Sequence, residues 1–294
     1  MKTLIYWGYN TAWKLLRALP ERTAYRSGNA IADYIYKKNG SSVKRLRSNY
    51  HRFHPELDQS QLEDLVLRGM RSYMRYWVDT FRFPGWSKER ILGTVTIENE
   101  SYLREPMSQG TGVIVALPHA GNWDHAGAYF CATGAPLVTV AEHLEPEKLF
   151  RKFLAYREAM GMEVLDFNSR VIATLAQRAR AGRLIALVAD RDLSQSGINV
   201  DFAGFPSRMP AGPALLSIQT GTPLITAYVQ YSPNGIHIIF EPIIEIPASG
   251  SSVEKAQAMT QVMADRFALN IANKTEDWHM LQRIWIDGDF KERA

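Results

Sequence analysis

The sequence predicts an α/β fold: a largely parallel central sheet flanked by helices, preceded by an N-terminal helical region. Three observations carry that expectation. From about residue 94 onward, short β-rich runs alternate with helical patterns, as the strand–helix units of a parallel sheet do. Residues 2–83 contain no such runs and read as consecutive helices divided by turn signals. The chain has 294 residues, 46% hydrophobic and 22% charged, which supports a large core and excludes disordered, collagen-like and low-complexity classes. A single domain over 1–294 is expected, with 1–90 a basic helical membrane-contacting region and 91–294 an α/β catalytic core.

The first helix is read in MKTLIYWGYNTAWKLLRALP. Ile5, Tyr9, Ala12, Leu16 and Leu19 recur at helical spacing, with Trp7 and Trp13 beside them and Lys2, Lys14 and Arg17 able to reach headgroups. Its likeness to a signal peptide is superficial, because Tyr6, Tyr9 and Asn10 interrupt the apolar part and no small-x-small site follows. Turns fall at Leu19-Pro20, at Asn39-Gly40-Ser41-Ser42 and at His54-Pro55, and a long helical pattern from Gln61 to Phe83 stops at Pro84-Gly85. Strand candidates follow: GTVTIEN, GVIVALP (112–118), PLVTVAE (136–142), MEVLDF (162–167), RLIALVAD (183–190), GINVDF (197–202), PLITAYVQY (223–231) and GIHIIFEPIIEI (235–246). Helical patterns fill the gaps, notably 146–160, 169–182 and 252–273. Ser251 and Glu254 make a capping box at the last of these, a better account of Ser252-x-x-Lys255 than a nucleophile pair. The longest stretch without a charge, Met209–Phe240, is broken by Pro210, Pro213, Pro223 and Pro233 and reads as turn, helix and strand, not as a membrane span.

The net charge of +4 is unevenly placed. Residues 1–90 hold 17 Lys and Arg against 8 Asp and Glu, and residues 91–294 hold 17 against 22. A basic, aromatic front end on a mildly acidic body suits an anionic membrane surface, to which each added Lys or Arg contributes ~1 kcal/mol. Peripheral attachment at the cytoplasmic face of the cell membrane is the expectation, and no nucleic-acid partner is expected. The lone Cys131 can form neither an internal disulfide nor a cysteine zinc site.

The chemistry centres on the end of strand 112–118, which runs into PHAGNWDHAG. His119 follows the strand directly, Asn122 is placed to cap the next helix, and Asp124 stands five residues beyond His119. Strand ends of this polarity carry the working loops of α/β sheets. A carboxylate on one imidazole nitrogen would fix the tautomer and leave the other nitrogen as a general base. Gly121 would let a substrate approach the backbone, and N–H groups at the helix start could stabilise an oxyanion. His119, Asp124 and His125 could alternatively belong to a metal-dependent lipid phosphohydrolase, although no further ligand cluster appears and no metal is expected.

H-A-G-N-W-D is similar to the HX4(D/E) signature of glycerolipid and lipid A acyltransferases. RDLSQSGINVDFAGFPSRMPAGPALLSIQTGTPLI resembles the second and third blocks of the lysophospholipid/lipid A biosynthesis acyltransferase family, and TEDWHMLQRIW its closing motif. SNYHRFHPEL and RSYMRYWVDTFRFP also fit, so the resemblance covers nearly the whole chain. It implies a glycerolipid acyltransferase-like fold and a transfer that uses no cofactor. A fatty acyl chain, palmitoyl by expectation, would pass from acyl-CoA to a sugar hydroxyl, with His119 as base and Asp124 and Asp190 as candidate carboxylate partners. Asp190 ends the strand 183–190, and many family members carry Glu there, which leaves the partner of His119 open. By the same resemblance Glu142 and Arg157 would hold the acceptor sugar. Arg208, in FPSRMPAGP, is a candidate for a phosphate or a closing loop, and Asn122, Arg191 and Asp192 are further substrate-binding candidates. The Trp123-Asp124 form of the motif and the RDLS block favour the branch that acylates a mannose of a phosphatidylinositol mannoside. An acyl carrier protein donor with a lipid A-type acceptor is the alternative within the same chemistry, and a non-catalytic glycolipid-binding homologue is an alternative of another class.

Overall fold

The computed structural model describes residues 2–142, 146–166, 171–192 and 197–287, with side chains described from residue 7 onward. Four helices open the chain: α1 (Lys2–Ala18), α2 (Glu21–Lys38), α3 (Ser41–Phe53) and α4 (Gln59–Arg82). The turn residues set their limits. Pro20 precedes α2, Asn39 ends it in the left-handed region at φ 48°, and Asp58 and Gln61 form a capping box that starts α4. A 3-10 turn at Phe83–Gly85 ends α4 where Pro84 can no longer donate to the helix.

The two tryptophans of α1 part company. Trp13 is buried among Phe81, Phe153 and Tyr156, whereas Trp7 is 57% exposed. The expected lipid-facing role therefore fails for Trp13. Residues six apart on a helix point about 120° apart, so the two cannot share a face. The side chains of Lys2 and Ile5 lie outside the described residues.

The remaining helices are α5 (Lys88–Gly93), α6 (Ser101–Ser108), α7 (Trp123–Ala132), α8 (Glu147–Ala159), α9 (Val171–Arg180), α10 (Gly212–Thr220) and α11 (Ser252–Asn273). The strands are β1 (Val95–Glu98), β2 (Val113–Leu117), β3 (Leu137–Ala141), β4 (Glu163–Asp166), β5 (Leu184–Val188), β6 (Ile198–Phe202), β7 (Phe205–Met209), β8 (Leu224–Tyr231) and β9 (Ile236–Phe240). Seven of them form one sheet in the order β1-β9-β8-β2-β5-β3-β4. β8, β2, β5, β3 and β4 are mutually parallel, and β9, antiparallel to β8, carries β1 parallel to itself. The α/β expectation with a largely parallel sheet holds.

Each face of the sheet has its own core, and β2 serves both. Ile114 and Ala116 join the core that includes α3, α4, α9, α10 and α11, while Val113, Val115 and Leu117 join the one that includes α1, α6, α7 and α8. Alternation of side chains across a strand covered on both faces explains why GVIVALP is an unbroken apolar run.

Two strand expectations need correction. GINVDF does not enter the main sheet; β6 pairs antiparallel with β7 in a separate hairpin, and FPSRM was not read as a strand at all. Ala203 and Gly204, at φ 53° and 81°, form the two-residue turn between them, a conformation that glycine and few other residues accept readily. The run 235–246 is a strand only to Phe240. Pro242 has no N–H for a ladder, yet Glu241 and Ile244 still donate to Thr226 and Leu224 carbonyls, so the segment follows β8 irregularly. Parts of the expected elements at residue 167 and residues 169–170, and residues 193–194 of the RDLS block, lie outside the described residues.

Candidate active site

His119 and Asp190 meet because of sheet register. β2 and β5 are parallel neighbours with Leu117 opposite Val188, so the residues two positions further on leave the same edge side by side. Asp190 Oδ1 lies 2.6 Å from His119 Nδ1, and Asp190 Oδ2 accepts the His119 backbone N–H at 2.9 Å. The indole N–H of Trp278 donates to Oδ2 as well, at 2.8 Å. Asp190 is wholly buried, and the His119 side chain is 30% exposed. Burial by itself raises the Asp190 pKa, but the imidazole, the indole and the backbone N–H together hold it below the usual carboxylate value. An ionised carboxylate can only accept, so Nδ1 carries a proton, and in the neutral ring Nε2 is the nitrogen with the lone pair. A general base needs that tautomer.

Asp124 does not touch His119. It sits in the first turn of α7, with Oδ1 2.8 Å from Arg157 Nε and Oδ2 3.1 Å from the Tyr76 hydroxyl. Tyr76 stacks on Trp123 at 4.4 Å between ring centroids, and Trp123 meets the His119 ring edge-on at 5.7 Å. Asp124 thus ties α4, α7 and α8 together beside the dyad. Arg157, expected at the sugar, spends its guanidinium on this buried carboxylate.

The other expected residues fall into three groups. Glu142, 45% exposed, is paired at 3.0 Å with Arg191, the residue that follows Asp190. Arg208 on β7 donates to Asn199 on β6 at 3.2 Å, and its stem and the Asp192 carboxylate both crowd Gly197. Asn122 is buried; its oxygen caps α7 through the His125 N–H and its amide donates to Asp79. Both ends of its side chain are therefore engaged within the protein.

Packing alone requires a glycine at Gly121. It has φ 57°, and a Cβ there would collide with the Val229 carbonyl of β8. Its N–H donates to the Asp277 carbonyl at 2.9 Å and so is not free for an oxyanion. This bond belongs to a strap formed by the chain after α11. His279 N–H donates to the His119 carbonyl at 2.7 Å, Ala120 and Trp278 form an antiparallel bridge, and Asp277 also accepts from the Tyr231 N–H. α3 holds the strap in turn. Asn49, fully buried, donates to the Met280 and Gln282 carbonyls and accepts from the Trp285 indole, while the Tyr50 hydroxyl donates to the Trp278 carbonyl.

Two further histidines are kept neutral. Burial pushes the His279 pKa down to about 3, with the nearby His119 adding to the shift; Ser72 lies 2.9 Å from its Nε2. Burial pushes His125 down to about 4, against a bond to the Ile91 carbonyl. His119, Asp124 and His125 thus turn to three different partners. Among the described residues no group of three His, Cys, Asp or Glu is gathered to hold a metal. A separate cleft of about 740 Å³, bordered by Tyr25, Arg75, Trp86, Arg90 and Lys274, includes neither His119 nor Asp190. Trp278, Asn49, Tyr50 and Tyr76 were not singled out from sequence. Each lies within a segment that resembles a family block, but nothing in one sequence says what an indole or an amide will bond.

The sequence profile described as bacterial lipid A biosynthesis acyltransferase matches residues 1–286. A phosphatidylinositol mannoside acyltransferase of Mycolicibacterium smegmatis is 39% identical over 282 residues, 95% of this chain and 90% of that one. A protein of the same name from Mycobacterium tuberculosis is 34% identical over 290 residues, 97% of this chain and 90% of that one. Matched along almost its whole length, and with the histidine of its HX4D motif held against a buried aspartate at the sheet edge, the chain belongs to the bacterial lipid A biosynthesis acyltransferase family.

Proposed function

We propose that the protein moves a long fatty acyl chain, palmitoyl in the simplest case, from acyl-CoA to a mannose hydroxyl of a phosphatidylinositol mannoside. The observation that carries the chemistry is the His119–Asp190 pair, which leaves Nε2 as a base at a partly open edge. The names of the two mycobacterial relatives support the choice of acceptor. His119 Nε2 takes the proton of the mannose hydroxyl as its oxygen attacks the thioester carbonyl. The tetrahedral intermediate collapses by breaking the C–S bond, and the imidazolium returns the proton to the departing CoA thiolate. Asp190 stays ionised and offsets the transient imidazolium charge, a contribution of about 10²–10⁴ in rate for the pair.

Attachment would be peripheral, at the cytoplasmic face where an acyl-CoA donor is found. Trp7, Leu15, Ile31 and Tyr34 are exposed on α1 and α2, with Lys14, Arg17, Lys37 and Lys38 exposed nearby. No helix among the described residues is long and apolar enough to cross a membrane. The test is to incubate the purified protein with palmitoyl-CoA and a panel of phosphatidylinositol mannosides, following free CoA and product mass. CoA release that depends on the acceptor, with a product heavier by one palmitoyl group, is expected. Release no greater than in the acceptor-free blank would overturn the reading, and activity abolished by EDTA would favour the phosphohydrolase.

A further inference from the structure

We propose that Trp278 is a positioning residue for the His119–Asp190 pair: its indole N–H occupies Asp190 Oδ2 and so reserves Oδ1 for the imidazole. What separates this from the ordinary need of a buried indole for an acceptor is the oxygen it selects. Oδ2 already accepts the His119 backbone N–H at 2.9 Å. With the indole added at 2.8 Å, two donors fix one oxygen, and the carboxylate cannot rotate to exchange Oδ1 for Oδ2 without breaking both.

The indole is itself immobilised. Trp278 has no exposed surface, meets Phe53 edge-on at 5.2 Å and Phe202 edge-on at 6.0 Å, and has its carbonyl held by Tyr50. Its neighbours in the strap are bound to Asn49 and to the His119 carbonyl. Three remote pieces of chain therefore meet at one carboxylate: the loop after β5 that carries it, the turn after β2 with His119, and the strap after α11, itself held by α3. A donor on an ionised carboxylate also favours the ionised form, in line with the low pKa of Asp190.

Trp278→Phe keeps an aromatic ring and removes the donor. A second variant, with benzothienylalanine at position 278, keeps the bicyclic shape and replaces only N–H by sulfur, which answers the objection that phenylalanine leaves a cavity. In both, kcat should fall about tenfold to a hundredfold, the equivalent of one hydrogen bond to an ion, with KM for donor and acceptor unchanged within twofold. The acid limb of the kcat profile should move to higher pH, by about one unit or less, because the pair binds a proton more readily once the carboxylate loses a donor. The rate effect rests on the acyl-transfer reading, and a third measurement does not. NMR of the imidazoles in the full chain should show the His119 Nδ1 proton far downfield and sharp in the unmutated protein, and moved upfield or broadened in both variants, where the carboxylate is held by one donor fewer. A His119 Nδ1 proton resonance unchanged in both variants overturns the proposal, whatever happens to the melting temperature. Failure of the unmutated protein to transfer any acyl group defeats the reaction assignment instead, and the NMR comparison still decides the role of Trp278.

Discussion

α1 and α3 are both basic, aromatic helices near the start of the chain, yet their surroundings differ. α1 leaves Trp7 and Leu15 exposed at its outer face. α3 buries Asn49 and Tyr50 completely, and through them grips the strap that touches both members of the dyad. Two of its cations are also drawn inward: Arg47 pairs with Glu63 on α4, and Arg52 pairs with Asp287 while lying over the Phe205 and Trp285 rings. Charge composition cannot tell a helix with an exposed apolar face from one that scaffolds a site, because it does not record what each cation meets.

Mutations at the dyad end of this contrast should act on chemistry and not on membrane contact. His119→Ala should lower kcat about 10³-fold or more with vesicle binding unchanged in a sedimentation assay; a comparable loss of vesicle binding would break the division of labour. The two carboxylates should then separate. Asp124→Asn leaves the mostly buried Arg157 without its ion partner and should cost about 3 kcal/mol of stability by urea unfolding. Asp190→Asn should cost turnover first, since an amide in its place no longer offsets an imidazolium charge. Equal effects of the two on folding and on kcat would erase the distinction.

On α3, Asn49→Leu strands two carbonyls and one indole N–H in the interior and should cost about 3 kcal/mol. Lowered kcat should accompany it under conditions where the variant remains folded, and kcat unaltered there would detach α3 from the site.

The buried histidines give the pH dependence. Their folded pKa values, about 4 for His125 and about 3 for His279, lie below the ordinary 6.5. As pH falls through 6.5 the unfolded chain takes up protons that the folded chain refuses. Their contribution to stability is complete above pH 6.5 and is lost as pH drops towards 4 and 3, each at ~1.4 kcal/mol per pH unit. Burial raises the pKa values of Asp79 and Asp277, which works in the opposite direction as they protonate in the folded state first. The comparison that isolates the effect is His125→Asn, which should flatten the urea-derived slope between pH 6 and 4 by about one proton. The smallest effect is expected on α1, where Trp7→Ser should weaken binding to anionic vesicles roughly a few-fold and leave folding and intrinsic turnover alone. Trp13→Ala, six residues along, should instead destabilise the fold by about 3–5 kcal/mol.

Local signals carried much of this molecule. The helix limits at Pro20, Asn39 and Pro84, the capping box of α11 and the cap at Asn122 are short-range chemistry, and all are present. The apolar runs of β2, β5 and β8 stood out because strands covered on both faces must be apolar throughout. His119 was legible as a candidate base because it stands at a strand end, within a motif of the family.

The tertiary structure alone decided which carboxylate holds it. Asp124 is five residues away and Asp190 is seventy-one, yet β2 lies beside β5 in the sheet and the register of that pair delivers Asp190. Strand order is a non-local choice, made by the packing of whole helices, and a segment read by itself carries no trace of it. The same holds for the β6–β7 hairpin, for the core position of Trp13 and for Trp278. An indole N–H, a carboxylate and an imidazole become one unit only where three distant pieces of chain are folded against each other.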